Sequence, residues 1–295
     1  MVQKPMDLSS KKGRLALGIA KRLHDAGYLT YFAGGCVRDH LRGQNPDDFD
    51  IATMAKPDEV ERLFPKTIPV GKQFGVILVV ADDIPFEVAT FRGEGEYKDG
   101  RHPERVHFTN PKEDSLRRDF TINGMFYDPF EAKVIDYVEG MADLETQKIR
   151  AIGSPEKRFN EDKLRILRAI RFASNLDFPI ETETWSAVCA KAPEIHQVSP
   201  ERIREELVKI FTRAHAAKGF VLLSNSGLMR EILPEVEAMK NVQQPEKFHP
   251  EGDVFEHTRL LLENLKSPVS EILAFGALFH DIGKPKTMEQ SAKGE

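Results

Sequence analysis

A chain of 295 residues with 40% hydrophobic and 30% charged residues carries enough apolar material for two or three folded domains and lies far from the composition of a disordered protein. It holds no run of eighteen apolar residues and no apolar signal-peptide core in its opening MVQKPMDLSSKKGR. Its two cysteines, Cys36 and Cys189, give neither a disulfide framework nor zinc spacing, so a spanning helix and a disulfide scaffold are excluded and a cytoplasmic enzyme without membrane partners is expected. The net charge of −5 does not announce a nucleic-acid binder, so any such role has to come from a local cluster of cations.

Residues 10–26 read as an amphipathic helix, with Leu15, Ile19 and Leu23 spaced four apart. Leu29 to Ala33 reads as a strand entering a Gly34-Gly35 turn, followed by a short helix and a second strand through Phe49 to Thr53. Pro57 opens another helix, a usual place for proline at a first helical position. Two β-rich runs, Gly75 to Ala81 and Pro85 to Phe91, are joined by a polar Asp82-Asp83 turn. After about Gly153 strand signals nearly vanish, and the periodicity predicts helices at 161–175, 182–192, 199–213, 215–226 and 253–265, with another near 270–281. The pattern is that of an α+β head with a small mixed sheet over 1–152, an all-α neck over 153–245, and a further helical segment over 246–295.

Gly34-Gly35-Cys36-Val37-Arg38-Asp39 followed at close range by Asp47-Asp48-Phe49-Asp50 is the strongest local signal. Residues two apart on a strand point to the same face, so Asp48 and Asp50 would present two carboxylates side by side. Carboxylate oxygens suit Mg²⁺, which combines one or two of them with substrate phosphates. Two such ions would activate an attacking hydroxyl and stabilise a leaving pyrophosphate. The Gly34-Gly35 turn exposes backbone N–H groups ahead of a helix, which suits a triphosphate, and Arg38 adds a fixed positive fork. Either element alone is more often an acidic loop or an ordinary turn; the spacing on a strand–turn–helix–strand is what argues for a site. Glu87, in the later strand Phe86-Glu87-Val88-Ala89-Thr90-Phe91, is a candidate third carboxylate.

The stretch from Lys157 to Arg171 holds six cations against two anions, Glu161 and Asp162. On one helix, Asp162, Arg165, Arg168 and Arg171 would form a polar stripe, with Ile166, Leu167 and Ile170 opposite. An aspartate accepts a hydrogen bond from an exocyclic amino group, and a neighbouring arginine donates to a ring nitrogen or carbonyl. That pair matches the Watson–Crick edges of adenine and cytosine. Guanine and uracil would set a carbonyl against the carboxylate, at a cost of about 1–3 kcal/mol for an unpaired buried polar group. A salt-bridged solvent face is the plain alternative for such a helix.

The run GGCVRDHLRGQNPDDFDIAT resembles the first motif of class II CCA-adding enzymes and bacterial poly(A) polymerases, members of the polymerase β-like nucleotidyltransferases. The resemblance continues through FEVATFR, GEYKDGRHPERV, RRDFTINGM and EDKLRILRAIRF, and covers about residues 28–240 in order. Arg42 and Gly124 depart from the usual leucine and alanine. The resemblance implies template-independent addition of CCA, or of its terminal A, to the 3′ end of tRNA from CTP and ATP, with two Mg²⁺ ions. It assigns catalysis to Asp48, Asp50 and Asp119, with the metals on Asp48 and Asp50. Nucleotide binding falls to Gly35, Arg38, Arg118, Asp162 and Arg165, helped by Arg168 and Arg171. Arg117-Arg118-Asp119 is expected at the start of a helix. Residues 92–105, with Tyr97, Asp99 and Arg101, resemble the loop needed for A addition. An A-adding enzyme and a poly(A) polymerase remain the alternatives. Finally, Glu256-His257-Thr258 and Phe279-His280-Asp281 resemble the opening of an HD phosphohydrolase domain, where His and Asp together suit a transition metal; a full site needs a further aspartate, so an incomplete one is expected.

Overall fold

The computed structural model describes residues 4–94, 106–244 and 252–287. The chain divides into two compact units, Met1–Ser154 and Pro155–Glu295.

The first unit is built on one seven-stranded sheet. In chain order its elements are α1 (Lys11–Asp25), β1 (Thr30–Ala33), α2 (Gly35–Leu41), β2 (Asp50–Thr53), α3 (Pro57–Leu63), β3 (Thr67–Gly71), β4 (Val76–Ala81), β5 (Ile84–Thr90), β6 (Arg92–Glu94), β7 (Val106–Phe108), α4 (Pro111–Leu116), β8 (Phe126–Asp128), β9 (Lys133–Ile135) and α5 (Gly140–Glu145). The strands lie in the order β3-β4-β5-β2-β1-β8-β9, while β6 and β7 form a separate two-stranded ribbon. Only β2 and β5 run parallel; the other pairs of the main sheet are antiparallel. The mixed sheet and helices are those expected of the α+β head.

The central strands are where burial demands them. All four residues of β1 are buried, and Tyr31, Phe91 and Phe126 close around Ala33 and Ala52. α1 lays Ala16, Ile19, Ala20 and Leu23 into the core under a Ser10 cap that accepts the Gly13 N–H. Phe49 is 1% exposed between two open aspartates and packs on Phe32 with ring centroids 5.5 Å apart. Burying such a ring contributes about 1.5–3 kcal/mol and anchors the chain where it enters β2 at Asp50.

The Arg117-Arg118-Asp119 segment departs from expectation. It follows a helix instead of starting one. Asn110 caps α4 by accepting the Glu113 N–H, Pro111 sits in its first turn, and Arg117 is its C-cap. The buried Phe120-Thr121-Ile122 that follows cannot continue a solvent-facing helix, and Phe120 bridges to Ala151 instead. Gly140 is required here by close approach: a Cβ at this position would collide with the Thr121 carbonyl oxygen and lie 2.8 Å from Met125 Cγ. Gly140→Ala is expected to destabilise the unit by about 1–3 kcal/mol through overpacking, read as a lower urea midpoint at unchanged slope; an unchanged midpoint would refute the steric account.

Among the described residues, the regular elements of the second unit are helices: α6 (Pro155–Glu161), α7 (Leu164–Asn175), α8 (Thr182–Lys191), α9 (Pro200–Phe211), α10 (Ala216–Asn225), α11 (Leu228–Ile232), α12 (Pro234–Glu237), α13 (Val254–Asn264), α14 (Glu271–Phe279) and α15 (Lys284–Thr287). The helix expected over 161–175 is α7, which starts at Leu164 after a separate helix, α6, has ended at Glu161. The chain breaks between Glu161 and Leu164, where Asp162 turns its carboxylate back to accept the Leu164 N–H at 3.0 Å, a local bond that competes with helix continuation. α7 buries Ile166, Leu167 and Ile170 as expected, but Arg165 is buried with them at 9% exposure.

Candidate active site

At the end of β1 the backbone turns at Gly34 with φ +70° and ψ −126°, a conformation only glycine adopts readily, and α2 begins at Gly35. Strand pairing sets Ala33 opposite Asp50, so the turn abuts the first residue of β2. A Cβ placed on Gly34 would lie 3.5 Å from Arg118 Nη1 and 3.6 Å from Asp50 Oδ2. The glycine turn, a carboxylate and a guanidinium therefore meet at one point.

Asp48 lies just before β2, its side chain 83% exposed, with Lys12 Nζ 4.0 Å from Oδ1. The parallel register of β2 with β5 pairs Ile51 with Val88, which brings Glu87 alongside Asp50. The Asp50 carboxyl is pushed up to about 6, first by desolvation against the protein behind it, then by the negative charges of Glu87 and Asp48, with Arg118 opposing. Its outer edge stays open to solvent. Asp50, with the charges of Glu87 and Asp48 acting on it, offers carboxylate oxygen, the hard donor type that suits a divalent cation.

Arg118 is held in place by a buried acid that the sequence reading did not single out. Asp114, its side chain 2% exposed, accepts from Arg118 Nε and Nη2, both at 3.1 Å, and from Arg117 Nε at 2.9 Å. Burial raises the Asp114 carboxyl, and the charges of Arg118 and Arg117 overcome this, leaving it below the ordinary carboxylate range. The Arg118 guanidinium also stands 4.9 Å over the Phe126 ring. Arg38 is fixed on the other side of the turn: it forks onto Asp39 at 2.9 and 3.0 Å and donates to Asn123 Oδ1 at 2.8 Å. Asp119 is buried and accepts the Phe120 N–H at 2.8 Å. The helical spacing of Asp114 and Arg118, four apart, is the signal that could have found the former; Asn123 had none.

In the second unit the expected stripe is not a free face. Asp162 accepts from Arg202 of α9 at 2.8 and 3.3 Å. Arg165 donates to Glu161 Oε2 at 2.6 Å and to the Arg158 carbonyl at 3.0 Å. Arg168 sits 5.4 Å from the Phe172 ring, and Arg171 lies over the same ring at 4.2 Å while pairing with buried Glu206 at 2.7 Å. His257, His280 and Asp281 do come together, their ligand atoms within 4.8 Å of one another; Lys284 Nζ, 2.7 Å from Asp281 Oδ2, supplies a positive charge there. Tyr97, Asp99 and Arg101 lie outside the described residues; β6 and β7, which flank them, pair antiparallel from Arg92–Phe108 to Glu94–Val106.

Among the described residues no helix is long and apolar enough to cross a membrane. The poly(A) polymerase head domain matches residues 30–150, and a region described as "Probable RNA and SrmB- binding site of polymerase A" matches 177–240. The chain is 42% identical to the CCA-adding enzyme of Lactobacillus johnsonii over 218 residues, 74% of this chain and 54% of that one. It is 44% identical to that of Geobacillus thermodenitrificans over 214 residues, 72% and 53% of the two chains. It thus spans about half the length of these curated relatives. Among solved structures, the Bacillus stearothermophilus CCA-adding enzyme in complex with CTP superposes with a TM-score of 0.76 at 33% identity, covering 93% of this chain and 63% of that one. The Thermotoga maritima CCA-adding enzyme complexed with tRNA shares the fold, with a TM-score of 0.65 at 23% identity over 97% and 73%. The two domain matches thus fall in order along the chain, and over the matched residues it is similar to CCA-adding enzymes, with Asp50 and Arg118 meeting at the glycine turn of the poly(A) polymerase head match.

Proposed function

We propose that this protein is a template-independent tRNA nucleotidyltransferase that adds CCA, or its terminal A, to tRNA 3′ ends from CTP and ATP. The observation that carries the reading is the junction of Gly34, Asp50 and Arg118, with Glu87 brought alongside by the β2–β5 register, in a chain so similar to CCA-adding enzymes.

Asp48 and Asp50, with Glu87 beside them, would hold two Mg²⁺ ions. When bound, the metals supply charge neutralisation for the triphosphate and acidify the attacking 3′ hydroxyl. The chain's own residues do the positioning. The Gly35 amide at the start of α2 and the braced Arg38 fork hold phosphate oxygens, and Arg118 contacts the nucleotide across the glycine turn. Asp119 supports the catalytic segment from behind. Asp162 and Arg165 read the amino group and adjacent acceptor shared by adenine and cytosine, with Arg168 and Arg171 buttressing them. The contribution is orientation and electrostatic stabilisation, since nucleotidyl transfer leaves little covalent work for side chains. The cytoplasm, where tRNA and free nucleotides are found, is the proposed location.

The test offers Mg²⁺ and labelled nucleotides to tRNA transcripts lacking CCA and ending in CC. Addition of C, C and A is expected. A single A on the CC-ending transcript alone would make this an A-adding enzyme, and long A tails a poly(A) polymerase. No incorporation together with no ATP or CTP binding would overturn the reading. The cluster of His257, His280 and Asp281 supports a second reading, a metal phosphohydrolase, which predicts phosphate release that survives Asp48→Ala and is lost in His280→Ala.

A further inference from the structure

We propose that Arg202 is a positioning residue that sets nucleotide selectivity by fixing the plane of the Asp162 carboxylate; this rests on the base-reading role given to Asp162 above. An aspartate and an arginine three residues apart ordinarily pair with each other, which would spend the very groups a base must meet. Here each has been given another partner. Arg202, forty residues away in sequence on α9, places Nη2 2.8 Å from Asp162 Oδ2 and Nη1 3.3 Å from Oδ1. Oδ1 also accepts the Leu164 N–H. Arg165 is drawn to Glu161, whose Oε2 also accepts Arg158 Nη1 at 2.7 Å. The result is two separately anchored side chains, an acceptor and a donor, at a break between α6 and α7.

The fork geometry matters because a guanidinium matches both oxygens of a carboxylate in one plane, which an ammonium cannot do. The pair is shielded, with side chains 21% and 17% exposed. α9 is itself pinned, since Leu207 and Ile210 are buried and Glu206 pairs with Arg171 of α7 at 2.7 Å. Oδ1 is filled by Arg202 and the Leu164 N–H, but Oδ2 keeps a lone pair beyond the one Arg202 takes, so the carboxylate still accepts from an exocyclic amino group there. Held in this plane it meets the carbonyl of uracil or guanine acceptor against acceptor. Released, it can turn toward Arg165 and leave room for the wrong edge. Loss of Arg202 should therefore blunt discrimination more than it slows turnover.

The experiment compares ATP with UTP in the full chain, as kcat/KM for single-nucleotide addition and as binding by titration. The variants are Arg202→Gln, Arg202→Lys, Asp162→Ala and the double Asp162→Ala/Arg202→Gln, with thermal melts alongside. Arg202→Gln is expected to reduce the ATP-over-UTP preference at least about tenfold, an effect of the size that small misplacements of a contacting group produce. Arg202→Lys should restore only part of it. In the Asp162→Ala background Arg202→Gln should change the preference no further, the mark of a residue acting through Asp162. An unaltered preference in folded Arg202→Gln, or additive losses in the double variant, would overturn the proposal. If Arg202→Gln does not fold, Arg202→Lys decides: full wild-type preference in it overturns the proposal. A wild type that binds ATP and UTP equally would instead sink the base-reading role, and this inference with it.

Discussion

Asp48→Ala/Asp50→Ala is expected to lower nucleotide incorporation by on the order of 10³-fold or more without unfolding the protein. The two carboxylates are the hard-oxygen ligands of the proposed metals, and neither holds the fold together. Asp48 is open to solvent, with Lys12 at the limit of ion-pair distance. Asp50 is strained electrostatically: desolvation and the charges of Glu87 and Asp48 push its carboxyl to about 6. A raised carboxyl means that ionisation weakens the folded state as pH rises from the ordinary 3.8 through about 6. Asp50→Asn removes that penalty, so the variant should melt at or above the wild-type temperature at neutral pH, with the difference vanishing below about pH 4. Activity lost with stability kept or gained is the expected signature of a site built against the fold's preference. Proton and the proposed metal would compete for Asp50. At low Mg²⁺ the acid limb of the rate profile should fall near pH 6, and higher Mg²⁺ should move it downward. Substantial incorporation by the double variant, or an acid limb indifferent to Mg²⁺, would dismiss these carboxylates as the metal ligands.

Asp114→Ala is expected to cost about 3–5 kcal/mol of folding stability, the usual price of removing one partner from a buried ion pair. The carboxylate is 2% exposed and binds two guanidiniums, Arg117 and Arg118, as well as accepting the Arg92 N–H at 3.2 Å. Its removal strands both cations and frees Arg118 from its place beside Gly34 and Asp50, so any folded remnant should bind nucleotide weakly. The sign with pH is opposite to that of Asp50. Burial pushes Asp114 up, but Arg118 and Arg117 hold it below the ordinary range, so its stabilisation is complete above about pH 4 and is lost as pH falls through the depressed value. Urea unfolding at pH 7 and at pH 3 reads this directly: the gap between wild type and variant should be wide at the first and narrower at the second. A loss under about 1 kcal/mol at pH 7 would mean that the two arginines find other partners, and would remove Asp114 from the site's support.

Several features were legible along the chain because they depend on near neighbours. The 3.6-residue spacing of Ile19 and Leu23 places one face of α1 in the core. A doubled glycine between an apolar run and a short helix is a turn, and Gly34 does adopt the positive φ that such a turn needs. Asp48-Phe49-Asp50 alternates open and buried as a strand's approach must. The α+β character of the first half and the helical second half follow from the same local periods.

Local pattern did not reach the features that depend on which elements pack together. The helix expected over 161–175 starts only at Leu164, because Asp162 bonds the Leu164 N–H and pairs with Arg202, a partner supplied by another helix. Arg171 looked like part of an open stripe until α9 brought Glu206 against it. Glu87 was one strand glutamate among many, and only the parallel pairing of β2 with β5 sets it beside Asp50. Asp114 and Asn123 drew no notice, yet they hold the two arginines at the glycine turn. Turn chemistry and amphipathic spacing are encoded within a few residues. Strand order and ion-pair choice are settled by competition among distant segments for the same buried space, and there the fold decides.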